Sequence, residues 1–168
     1  PGTQLEEVRG AATETWNRAL ARVAVTGGSD DQRTTFYTAL YHAFMGPSLF
    51  MDSDGRYRGP DNAVHQANGF TNYSTFSLWD TYRAQNQLLA MLRPQRARDI
   101  AHSMLAIHDQ MGWLPRWGYA NFDTNIMTGD PVTPFLVDLW TYGALVGNES
   151  QAWQALWQNA NGRPPAMS

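Results

Sequence analysis

Cysteine is absent from the chain. That removes disulfides, thiolate metal sites and cysteine nucleophiles from consideration, and it says little about compartment. Charge is also scarce: 16% of residues are charged against 43% apolar, the balance of a folded chain with a well-buried interior. Lys and Arg number only twelve, with a net charge of -3 and no basic stripe, so nucleic acid is not expected as a partner. No apolar run approaches the roughly 20 residues that span a bilayer, so no membrane partner is expected either. No signal-peptide pattern opens the chain, which starts PGTQLEEVRG. It reads as a mature protein or a piece cut from one.

What is plentiful is aromatic surface. Seven Trp, seven Tyr and seven Phe stand among few charges. That combination serves tightly packed helical cores, and it equally serves sites for flat, amphipathic ligands. The 168 residues suffice for a single domain, residues 1–168, with a sizeable core.

Periodicity predicts a mainly α chain. Leu5, Val8, Ala12, Trp16, Leu20 and Val23 recur at helical spacing and predict a helix over Thr3–Val25. A second helix is expected over Asp31–Met45, capped by Ser29 or Asp30 and stopped by Gly46-Pro47. Asp54-Gly55 marks a turn, and a β-hairpin or extended loop is expected near residues 50–64. Helices are then predicted over about Leu78–Leu92, Pro94–Met111 with Gly112 as its cap, Pro134–Val146 and Ser150–Asn159. An irregular tail runs from Asn161 to Ser168. Helix pairs joined alternately by short turns and long aromatic loops build bundles or toroids, whose rim loops commonly make the pocket.

Most familiar catalytic signatures are missing: there is no phosphate-binding glycine loop, no Gly-x-Ser-x-Gly and no His-Glu-x-x-His. Asp52, Asp54 and Asp61 lie close together, but the glycine comes too early and no glutamate follows, so a hairpin turn fits better than a calcium loop. His42, His65, His102 and His108 show no zinc-ligand spacing. His102 and His108 are read as structural or surface residues, whereas His65 stands open between a structural and a ligand role.

Two aromatic–acidic segments remain. In one, Trp79, Asp80, Thr81, Tyr82 and Arg83 open a helix; in the other, Trp113, Trp117, Tyr119 and Phe122 surround Arg116 and Asp123. An acid in a first helical turn is stabilised by free backbone N–H groups, which explains Asp80 without any ligand. The same segments also suit a sugar: indoles cover its apolar C–H faces, while carboxylate and guanidinium bind the hydroxyl rim. A pair of acids would also suit general acid–base work, but spacing in sequence does not set their separation in space.

Three longer stretches narrow the choice. FYTALYHAFMGPSLFMDSDGRYRG, YSTFSLWDTYRAQNQLL and SMLAIHDQMGWLPRW resemble, in order and spacing, the bacterial α-mannosidases of glycoside hydrolase family 92. The likeness runs from about Leu5 to Leu145. It implies a calcium-dependent, exo-acting, inverting enzyme, secreted or periplasmic, with an N-terminal β-sandwich and a helical (α/α) toroid. This chain would be the first part of that toroid, with the β-sandwich and the rest of the helical domain as its neighbours and an α-mannoside glycan or mannan as substrate. The family's LWDT motif falls on Leu78–Thr81, and the resemblance assigns Asp80 to holding the released mannose. Trp79, Thr81, Arg83, Arg116, Trp117 and Asp123 complete the expected pocket wall. Many members carry Gly-Asn-Glu-Thr-Asn and then Gly-Tyr-His-Ala, whereas this chain reads NFDTNIMTGDPV. Asp123 stands where a glutamate is usual, and Asp130 and Pro131 replace the tyrosine and histidine. Some relatives accept phosphodiester-linked mannose, so an altered subsite bears on the leaving group. The family's catalytic acid sits in a Glu-Gly-Asn-type motif and its base in an Asp-containing motif near the calcium site. Neither occurs here, so acid, base and calcium ligands are expected outside this chain. Two alternatives stand beside this reading: a non-catalytic helical carbohydrate-binding or scaffold module, and a helical interaction domain in which Trp79 and Trp117 are fully buried.

Overall fold

The structure is a computed structural model that describes residues 2–164; residues 165–168 of the expected tail lie outside the described residues. The chain divides into two units, residues 1–45 and 46–168.

The first unit is a helix pair. α1 spans Gly2–Leu20 and α2 spans Asp30–Met45. Ser29 caps α2: its Oγ accepts the Gln32 N–H at 3.2 Å while Gln32 Oε1 accepts the Ser29 N–H at 2.8 Å, a reciprocal capping box. Trp16 and Tyr41 bring their ring centroids to 4.4 Å. The Tyr37 hydroxyl donates to the Val23 carbonyl at 2.9 Å, tying the segment after α1 to α2. The predicted stripe of α1 is only partly used, because Leu5 and Val8 are exposed.

The second unit opens with short strands. β1 (Ser48–Leu49) pairs antiparallel with β4 (Tyr73–Ser74), and β2 (Arg56–Arg58) pairs with β3 (Val64–Gln66), matching Tyr57 to His65. The hairpin is therefore real but lies further along the chain than expected. Asp54-Gly55 does turn the chain, through Gly55 N–H to the Asp52 carbonyl at 2.9 Å, yet β2 and β3 are joined by the turn from Gly59 to Ala63.

The broken helix comes next: α3 is only Leu78–Thr81 and α4 is Gln85–Leu92, where a continuous helix is predicted. α5 occupies Pro94–Met111, with proline in its first turn and Gly112 beyond its end at φ 72°, as the residue types dictate. A two-residue hairpin, β5 (Gly118–Tyr119) with β6 (Phe122–Asp123), leads to α6 (Val132–Thr141) and α7 (Glu149–Asn161). α6 starts and stops earlier than the predicted Pro134–Val146.

α5 is the central element, packed against α4, α6, α7 and β4. Its Ala97, Ile100, Ala101, Met104 and Leu105 are buried together with Leu89 of α4, Phe135, Leu136 and Leu139 of α6, and Ala152 and Ala155 of α7. The small residues on α5 and α7 let helix axes approach, and the leucines fill the remaining volume. Within this core Ser103 bridges elements: it donates to the Asp99 carbonyl at 2.8 Å and accepts the Tyr73 N–H at 2.9 Å, anchoring β4 to α5.

Candidate functional site

The segment from Phe76 to Arg83 is held at both ends by unusual backbone. Thr75 at φ 65° and Ala84 at φ 89° lie in a region that residues with a Cβ rarely enter, at a cost of about 1–3 kcal/mol each. Inside this bracket Phe76 is buried and its N–H donates to the Gly118 carbonyl at 2.8 Å. A Cβ on Gly118 would stand 3.3 Å from the Phe76 ring, so glycine permits the two segments to lie this close. Ser74 Oγ adds a bond to the Ala120 carbonyl at 2.6 Å. Trp79 lies against Gly129. The chain just before α3 and the β5–β6 hairpin are thus brought together.

Asp80 is exposed at the start of α3. Its Oδ2 accepts from the Ser77 hydroxyl, and its N–H donates to the Ser77 carbonyl at 3.0 Å. Its other oxygen accepts no hydrogen bond from the described residues. Trp79 is 41% exposed, and its ring centroid stands 6.2 Å from that of Tyr82. Trp117 is half-buried. The expectation of fully buried tryptophans at these positions is therefore overturned. Arg83 is exposed; its Nε donates to the Tyr82 hydroxyl at 2.7 Å and its guanidinium lies 5.2 Å from the ring centroid. Thr81 is half-buried and accepts from Asn86 Nδ2 at 3.4 Å.

The second segment is organised by Asp123. Its Oδ2 accepts the Arg116 N–H at 2.7 Å, and its Oδ1 accepts the N–H groups of Trp117 and Asn125, both at 3.0 Å. Thr124 closes the same loop by donating twice to the Trp117 carbonyl, from N–H at 3.0 Å and from Oγ1 at 3.1 Å. Arg116 reaches back to the Met127 carbonyl at 3.0 Å. Ala120, Asn125 and Met127 all have positive φ, so this loop, too, is held in a shape its residues would not choose alone. Beside it a cavity of about 230 Å³ is lined by Trp113, Arg116, Gly129, Asp130 and Asn159 among others. Asp130 accepts the Thr133 hydroxyl at 2.6 Å and the Thr133 N–H at 3.4 Å, in the first turn of α6.

His65 is a hairpin residue: its Nε2 lies 2.9 Å from both oxygens of Asp61. Burial pushes the Asp61 carboxyl up, but hydrogen bonds from His65 and the Ala63 N–H outweigh it and hold the group below the usual carboxylate range. His102 stacks on Phe70 and His108 contacts Gln158 at 3.0 Å, the structural roles expected. Among the described residues no group of three or more His, Asp or Glu could hold a metal ion. The described residues therefore offer no carboxylate cluster for a calcium ion.

Sequence reading missed Ser77, Gln87 and Asp138. Ser77 stands at the N-cap position of α3, three residues before Asp80, but its hydroxyl engages the Asp80 carboxylate and makes no backbone capping bond. Nothing local announces the other two. Gln87 Oε1 accepts the Ala84 N–H at 2.8 Å, and its amide donates to the Tyr82 carbonyl at 3.0 Å and to Asp138 of α6.

The helical core thus carries loops rich in aromatic and carboxylate side chains, and binding residues concentrate on loops held by a rigid scaffold. The whole chain, residues 1–168, matches the model of the glycosyl hydrolase family 92 catalytic domain, and the chain belongs to that family. Among solved structures it is similar to a family GH92 α-mannosidase from Bacteroides thetaiotaomicron, with 34% identity over 94% of this chain and a TM-score of 0.89. The same enzyme in complex with mannoimidazole matches at 34% identity over 94% of this chain, with a TM-score of 0.88. A family GH92 inverting mannosidase from the same species matches at 30% identity over 96% of this chain, with a TM-score of 0.86. The chain spans 21% of the first two solved relatives and 22% of the third. A comparison with curated proteins returned no match. No helix among the described residues is long and apolar enough to cross a membrane.

Proposed function

We propose that this chain forms part of the sugar-binding wall of an exo-acting α-mannosidase that removes terminal α-linked mannose with inversion. The observation that carries the reading is Asp80: an exposed carboxylate whose Oδ2 accepts from Ser77, one residue along α3 from Trp79, whose indole is itself exposed. A pyranose can lay an apolar face on that indole and donate hydroxyls to the carboxylate. Trp79, Thr81, Arg83, Arg116 and Trp117 would flank it, and Asp123 would shape the wall by holding the loop that carries Arg116 and Trp117. The names of the relatives, one an inverting mannosidase and one bound to mannoimidazole, support the substrate class and the stereochemistry.

The catalytic acid, the base and any calcium would be supplied by residues outside this chain, from the rest of a helical toroid and a β-sandwich neighbour. The acid would protonate the glycosidic oxygen while the base activates water on the opposite face. Inversion requires those carboxyl groups roughly 6.5–9.5 Å apart so that the water fits between them. A polymeric α-mannoside substrate is consistent with a secreted or periplasmic protein. Proton NMR of α-mannoside hydrolysis by the full-length protein tests this: β-mannose as first product is expected. α-Mannose as first product overturns inversion, and binding without hydrolysis favours a non-catalytic carbohydrate-binding module.

A further inference from the structure

The break between α3 and α4 is the least expected feature of the helical region. The run Thr81-Tyr82-Arg83-Ala84-Gln85 contains neither glycine nor proline, so nothing local stops the helix. The chain nevertheless turns at Ala84, with φ 89° and ψ -37°. One side chain compensates for this. Gln87 uses its amide oxygen to accept the Ala84 N–H at 2.8 Å, and its amide nitrogen to donate to the Tyr82 carbonyl at 3.0 Å and to Asp138. Asp138 stands on α6, whose Phe135, Leu136 and Leu139 are locked in the core. The bracket around Trp79 and Asp80 is therefore tied through Gln87 to a helix whose inner face is buried in the core of the unit.

We infer that Gln87 and Asp138 are positioning residues: by fixing the helix break at Ala84 they set the angle at which α3 presents Trp79 and Asp80 to the sugar. The inference rests on the reading of Asp80 as a mannose-binding group. A continuous helix through Ala84 would relieve the backbone at that residue, but it would carry α3 onto the axis of α4 and re-aim the indole and the carboxylate together. The break is the kind of local strain that persists where surrounding structure over-determines it, and a polar pair shared by two helices supplies that constraint.

The test is steady-state kinetics of the full-length protein on an aryl α-mannoside, with four variants in addition to the wild type. Gln87→Glu sets two carboxylates against each other and removes both donors; KM is expected to rise about tenfold with the melting temperature little changed. Adding Asp138→Asn restores a donor–acceptor pair of reversed polarity, and most of the lost KM is expected to return, a rescue that general destabilisation would not produce. Should Gln87→Glu fail to fold, Asp138→Ala decides: it removes the acceptor that ties Gln87 to α6 and leaves the backbone at Ala84 unaltered, so KM is expected to rise. Wild-type KM in folded Gln87→Glu or, where that variant does not fold, in Asp138→Ala overturns the inference, as does a double variant no better than Gln87→Glu. Asp80→Ala separates the two readings. If it loses activity while the Gln87 and Asp138 variants do not, only the positioning role falls; if it keeps wild-type KM, the Asp80 reading falls and the positioning role with it.

Discussion

The carboxylate of Asp123 grips the backbone N–H of Trp117 at 3.0 Å. With the N–H groups of Arg116 and Asn125 on the same side chain, this aspartate substitutes for the regular pairing that an irregular loop lacks. Its oxygens are therefore committed to protein donors, and its effect on a ligand would be exerted through the loop it holds. Asp123→Ala leaves these N–H groups without their acceptor and should destabilise the protein by about 1–3 kcal/mol. Asp123→Asn keeps one acceptor oxygen and should lose roughly half as much. Denaturant midpoints of the two variants check this; equal stability of Asp123→Ala and the wild type would contradict it.

His102 supplies a pH prediction. Burial against Phe70 holds its pKa below the usual histidine value of 6.5. Below that value the unfolded chain takes up a proton that the folded chain resists, so the unfolded state binds more protons and stability rises with pH. Stability should therefore fall as pH drops below 6.5 toward the lowered folded-state value. His102→Gln should flatten this part of the profile. Melting temperatures between pH 7.5 and 5 for both proteins check it.

Gly59 tests the packing of the β2–β3 hairpin. A Cβ there would lie 2.5 Å from Gln110 Oε1, 2.7 Å from His65 Cδ2 and 2.8 Å from Asp61 Oδ1. Three side chains would have to move at once, and two of them form the His65–Asp61 pair. Gly59→Ala is expected to cost about 1–3 kcal/mol, measurable by chemical denaturation. Gly10→Ala, where nothing lies within 4 Å, should be neutral or mildly stabilising, because an exposed helical glycine gains from the exchange.

What could be read from the chain alone followed the range of the forces involved. α5 was legible to the residue because Pro94 and Gly112 are themselves the start and stop signals. The α3–α4 break was not legible, since its determinants are Gln87 and an aspartate 51 residues further on. Asp54-Gly55 was correctly read as a turn but assigned the wrong hairpin, because register depends on which strands find one another: β2 meets β3, whereas β1 pairs with β4. In the site, residue type singled out the two aromatic segments, but where they lie relative to each other was not legible, because sequence spacing does not set separation in space. The commitment of Asp123 to backbone donors was hidden, because those N–H groups become available only once the loop has folded back on itself.

The most direct measurement of the central claim is the affinity of mannoimidazole for the full-length protein, wild type against Asp80→Ala, by isothermal titration calorimetry. Loss of a charge-assisted hydrogen bond to the sugar should weaken binding about 10- to 100-fold with the fold intact. Equal affinity in the two proteins would contradict the assignment of Asp80 to the mannose pocket.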